Sequence, residues 1–107
     1  MITLQHWLVL SGMVFTLGLC GVMMRRNVIL VMMSIEIMLN AANLAVVAFN
    51  KHMVPGPGGV VPPDGQVLVF FTIAVAAAEV AVALVIAMLL FRRLDTVNVD
   101  DVANLRW

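Results

Sequence analysis

Two acidic side chains stand alone in long apolar stretches, and they are the residues best placed to do chemistry. Between Arg26 and Lys51 the only formally charged side chain is Glu36, and between Asp64 and Arg92 the only one is Glu79. At helical rise Glu36 lies about 15 Å beyond Arg26, and Glu79 about 20 Å before Arg92. A bilayer hydrocarbon core is roughly 30 Å thick, so spans through these stretches would carry both carboxyls deep inside it. An acidic residue at that depth costs on the order of 2.5–3.5 kcal/mol on insertion scales. A carboxyl that can be neutral or charged in such a place is what a proton relay requires. The bland alternative is a permanently protonated acid that hydrogen-bonds a neighbouring helix. Two such residues, on different segments at similar depth, weigh towards the relay.

The polar residues around them are supporting candidates. At 100° per residue Glu36, Asn40 and Asn43 fall within an arc of about 60°, a polar stripe that must face protein or water. Thr72 shares the helical face of Glu79, while Ala74, Ala77, Ala78 and Ala81 offer a small-residue surface for close helix approach. Arg25 and Arg26 set topology, touch lipid headgroups and could tune the field at a proton entrance. His6 and His52 have no carboxylate or thiol at ligand spacing and read as exposed histidines. No two of the nine methionines are three or four residues apart, so packing explains them better than copper. Neither a phosphate loop, a nucleophile triad nor a dinucleotide fingerprint occurs in the sequence.

The elements that carry these residues follow from composition. Of the 107 residues 64% are apolar and 11% charged, and the mean hydropathy is +1.10. Soluble domains run at roughly half apolar and a quarter charged, so the chain reads as an integral membrane protein. Six basic and six acidic side chains cancel, which leaves no global field for nucleic acid. A lone cysteine, Cys20, can form no disulfide within the chain and cannot by itself hold zinc or an iron–sulfur cluster. Three apolar runs, 7–24, 28–49 and 67–91, are each long enough to span. They predict an all-α membrane domain over 1–107, with helices at about 3–24, 28–50 and 66–91. A turn-rich outer loop at 51–65 holds all four prolines, and a cytoplasmic tail takes 92–107. The first run lacks a basic start and a small-x-small cleavage site and is expected to be a retained helix.

The run from Leu10-Ser11 through Gly18, Gly21 and Arg25-Arg26-Asn27 to Glu36-Ile37-Met38-Leu39-Asn40-Ala41-Ala42-Asn43 resembles the K subunit of bacterial NADH-quinone oxidoreductase, respiratory complex I. Asp64-Gly65-Gln66-Val67, Ala76-Ala77-Ala78-Glu79-Val80-Ala81 and the tail Val97-Asn98-Val99-Asp100-Asp101 with Leu105 resemble it too. The loop at 54–63 departs from that pattern, being longer and richer in proline and glycine. The resemblance implies a non-redox subunit in the membrane arm of a proton-translocating enzyme, in a bacterial inner membrane. It implies J-type, antiporter-like N-type and A-type subunits and lipid as neighbours. Flavin, iron–sulfur clusters and quinone are expected on other subunits, with no cofactor or metal in this one. Glu36 and Glu79 would join a chain of buried ionisable groups coupled to quinone reduction. A C-type subunit of a multisubunit sodium/proton antiporter is the alternative with the same three-helix plan; Asp64-Gly65-Gln66 and Glu79 favour complex I.

Orientation follows from the basic residues. With three spans, Arg25, Arg26, Arg92, Arg93 and Arg106 fall on one side and Lys51 on the other, which places the N-terminus outside and the C-terminus in the cytoplasm. Single cysteines introduced as Gly58→Cys and Asn104→Cys are expected to react with an impermeant reagent from opposite faces of the membrane. Labelling of both from one face would overturn the three-span arrangement.

Overall fold

The computed structural model describes residues 1–53 and 55–103; Val54 and residues 104–107, which include Asn104, Leu105 and Arg106, lie outside the described residues. The fold is all-α: α1 spans Leu4–Met24, α2 Val28–Lys51, α3 Asp64–Leu94 and the short α4 Val99–Ala103. The first three are long and apolar enough to cross a membrane. At 31 residues α3 runs about 46 Å, further than a bilayer core requires, and it takes in Arg92 and Arg93, which the sequence reading puts in the tail. Basic residues in a last turn, like Asp64 in the first, complement the helix dipole.

Each end has a local cause. Asn27 caps α2, its side-chain oxygen accepting from the backbone N–H of Ile29 at 2.9 Å. That cap lets two long helices join through Arg25-Arg26-Asn27 alone. Thr3 N–H donates to Nδ1 of His6 at 3.2 Å, so His6 closes the start of α1. Asp95 ends α3 in the left-handed region at φ 52°, a conformation in which Asp is one of the few tolerated side chains.

Helix α2 is the middle of a single row. Small residues seven apart on α2, Ser34, Ala41 and Ala48, are buried, and so are Ser11 and Gly18, seven apart on α1. The Ser11 hydroxyl donates to the Ala41 carbonyl at 2.6 Å. A Cβ on Gly18 would lie 2.6 Å from Cγ of Met38 and 2.8 Å from the Ser34 carbonyl, and one on Gly21 would fall on the Ser34 hydroxyl. The backbones of α1 and α2 are in near contact. Helix α3 meets α2 on the other side: Thr72 bonds to Asn43, and Gly65 packs on Asn50. Asn43 is nine residues from Ser34, and Asn50 nine from Ala41, which is half a turn round the helix. Helices α1 and α3 therefore flank α2 on opposite sides, and the substantial helix packing is α1 on α2 and α2 on α3.

The packing stripe of α3 differs from the expected one. Ala74, Ala77, Ala78 and Ala81 are exposed, whereas Ala83 is half-buried and Ala87 buried. Composition cannot choose between two alanine faces. Register against Asn50 and Asn43 does.

The tail folds back beneath the α1–α2 turn. Val28 N–H donates to the Val97 carbonyl at 2.9 Å, and Val99 N–H to the Arg26 carbonyl at 2.9 Å, forming an antiparallel bridge between Asn27 and Asn98. Overpacking a close helix contact costs about 1–3 kcal/mol. Gly18→Leu is therefore expected to deplete the protein from membranes, while Gly12→Ala, which meets nothing within 4 Å, leaves its abundance unchanged. Quantitative immunoblotting of isolated membranes checks the pair.

Candidate functional site

Glu36 sits two turns into α2, one turn beyond Met32, half-buried beside α3. With Asn40 it lines a groove of about 300 Å³ whose α3 wall is Val80, Ala83, Leu84 and Ala87. Apart from that carboxyl and that amide, the lining is apolar, with Met32 and Met33 among the aliphatic side chains. Asn43 turns onto the seam instead, where its oxygen accepts the Thr72 hydroxyl at 2.7 Å. The Thr72 oxygen is also 2.9 Å from the Val69 carbonyl, so its single hydrogen has two acceptors within reach.

Glu79 is fifteen residues from each end of α3, at its midpoint. It is exposed in the chain and lines a second groove, of about 550 Å³, with Val75, Ala78, Val82 and Ile86 of α3 and Val28 and Met32 of α2. Among the described residues neither carboxyl has a hydrogen-bond partner within the chain. The structure thus brings Glu36 and Asn40 together, and Asn43 and Thr72 together. It leaves Glu36 and Glu79 in separate grooves.

The basic pair divides its work. Arg25 ends α1, its N–H bonding to the Gly21 carbonyl. Arg26 pairs with Asp100 at 2.7 Å, with the two side chains 78% and 59% exposed, so the ion pair adds little beyond the backbone bonds beside it. His52 places Nδ1 2.8 Å from the Ala48 carbonyl and serves the end of α2. Among the described residues no three His, Cys, Asp or Glu side chains are grouped to hold a metal.

Residues 6–107 match the model of the family described as NADH-ubiquinone/plastoquinone oxidoreductase chain 4L. The chain belongs to this family. Among its relatives, NADH-quinone oxidoreductase subunit K of Deinococcus radiodurans is 48% identical over 106 residues, covering 99% of this chain and 96% of the relative. The subunit K of Bdellovibrio bacteriovorus is 47% identical over 105 residues, covering 98% and 92%. Subunit K 1 of Geotalea daltonii is 40% identical over the full length of both chains. Membership of the chain 4L family and three spanning-length helices make this a multi-pass membrane protein.

Four positions are not singled out by the sequence pattern. Asn50, near the polar stripe of α2, is buried and donates to the Pro62 carbonyl at 2.7 Å, tying the proline-rich loop to the end of α2. Asp100 pairs with Arg26 across more than seventy residues, and nothing in the local pattern indicates it. Met32 and Ala83 line both grooves. Their signal was faint but present: each lies four residues from a carboxylate, on the same helical face.

Proposed function

We propose that this chain is the small membrane-arm subunit of a proton-pumping NADH-quinone oxidoreductase, and that Glu36 and Glu79 hand protons along that arm. The observation that carries the reading is the joint placement of the carboxyls. Each projects from within a spanning-length helix, Glu36 two turns into α2 and Glu79 at the midpoint of α3, into an apolar groove, on a chain whose full-length relatives are named as subunits of that enzyme.

The row architecture supports the role. A layer one helix thick has two broad faces, and the Glu36 and Glu79 grooves lie on opposite flanks of the α2–α3 seam. Such a layer suits a position between neighbouring membrane subunits of the J, N and A types, with the two carboxyls opening to opposite faces. Hydrocarbon satisfies neither carboxyl nor Asn40, so protein or water must cover both faces. The N-terminus is outside, and the strapped turn with Arg25 and Arg26 lies at the cytoplasmic end of the inner membrane. Electron transfer belongs to subunits that carry flavin and iron–sulfur clusters. Here a carboxylic acid releases a proton to water, a carboxylate takes one up, and the transfer is driven by neighbouring charges that change as quinone is reduced.

Gln keeps the shape and hydrogen-bonding capacity of a protonated Glu but cannot titrate. Glu36→Gln and Glu79→Gln are expected to yield assembled complex that has lost most coupled quinone reduction and pumping, with Glu→Asp milder because water bridges the missing methylene. Activity and vesicle acidification, normalised to assembled complex, are the measurements. Wild-type pumping by an assembled Glu36→Gln/Glu79→Gln double variant would sink the relay.

A further inference from the structure

The two carboxyls lie on opposite flanks of the α2–α3 seam, and two residues of that seam reach both grooves. Met32 of α2 and Ala83 of α3 are the residues that line both grooves. Glu36 lies one turn beyond Met32, and Glu79 one turn before Ala83; in antiparallel helices both steps run towards the same end. The carboxyls therefore stand at nearly one depth, one on each flank. The shortest way between them crosses the seam beside the Met32–Ala83 level.

That level is closed to protons by its chemistry. An alanine methyl has nothing to offer, and a thioether is a weak acceptor with no hydrogen to donate, so neither passes a proton on. Yet Met is unbranched, with three rotatable bonds, and can leave its place without moving backbone. Ala83 opposite gives it the room. Elsewhere the seam is sealed by less mobile means, the Asn43–Thr72 bond on one side of the carboxyl level and buried Ala87 on the other.

We propose that Met32, which with Ala83 lines both grooves, is a positioning residue that gates the seam: in place it isolates Glu36 from Glu79, and its swing admits the water that carries a proton between them. This rests on the relay reading given above. In one passage protonated Glu36 gives its proton to seam water, and that water chain delivers a proton to the Glu79 carboxylate. Glu36 is left as carboxylate, Glu79 as acid, and the water is unchanged. The gate sets when the two groups communicate. It does not itself bind the proton.

The test uses the whole complex in membrane vesicles, with rates normalised to assembled enzyme. Ala83→Leu fills the room Met32 needs and is expected to slow coupled turnover about tenfold. Adding Met32→Gln, which can hold water, is expected to restore most of that rate, whereas adding Met32→Leu is not. Equal rescue by Gln and Leu would show that the position only packs, and would overturn the gate. Should Ala83→Leu fail to assemble, Met32→Leu alone decides. It conserves volume but branches at Cγ, and is expected to slow coupled turnover about threefold and to raise the solvent deuterium isotope effect. Wild-type rate and isotope effect in that variant would overturn the gate. A normal Met32→Leu enzyme beside an inactive Glu36→Gln enzyme discards the gate and keeps the relay, while a pumping Glu36→Gln/Glu79→Gln enzyme discards both.

Discussion

The contact of α1 with α2 through residues too small to hold the backbones apart is what the rest of the structure rests on. In a bilayer, lipid tails are as apolar as leucine, so burying aliphatic side chains between helices yields little. Association depends on close packing and hydrogen bonds. Gly18 and Gly21 against Ser34, and the Ser11 hydroxyl on the Ala41 carbonyl, supply both. With one face of α2 committed to α1, its opposite face is left for α3, and the bundle becomes a row.

A row has consequences that a closed bundle would not. A closed three-helix bundle can turn its polar groups to a common axis and satisfy them there. In a single layer each carboxyl beside the α2–α3 seam must open to one broad face or the other. Glu36 and Glu79 take opposite flanks, and neither finds a partner among the described residues of its own chain. The layer thus leaves the polar groups of both broad faces to be satisfied from outside this chain.

The ends of the row are fastened with backbone and amide hydrogen bonds more than with charge. At one end Asn27 caps α2 while the tail bonds to the same turn through Val28 and Val99; the exposed Arg26–Asp100 pair sits on top of that. At the other end buried Asn50 holds the Pro62 carbonyl, and Gly65 lets α3 start against it. Such anchors hold in salt, where an exposed ion pair weakens. They also fix the register of α3 against α2, and so which residues of the two helices line both grooves.

The sequence by itself determined the three spanning-length helices, the place of both carboxyls along them and the family, because these depend on apolar run length, helical rise and motifs continuous along the chain. It also carried the polar stripe from Glu36 to Asn43, since residues on one helix face are fixed by a period. Which alanines of α3 would pack was decided only in three dimensions: Ala83 and Ala87 turn inward while Ala74, Ala77, Ala78 and Ala81 stay exposed. The separation of Glu36 from Glu79, the turn of Asn43 onto Thr72 and the fold-back of Asp100 onto Arg26 were likewise tertiary outcomes. The physical reason is common to all of them. Periodicity fixes a residue's angle about its own helix axis, whereas the rotation of one helix against another is set by the few close contacts where backbones nearly touch.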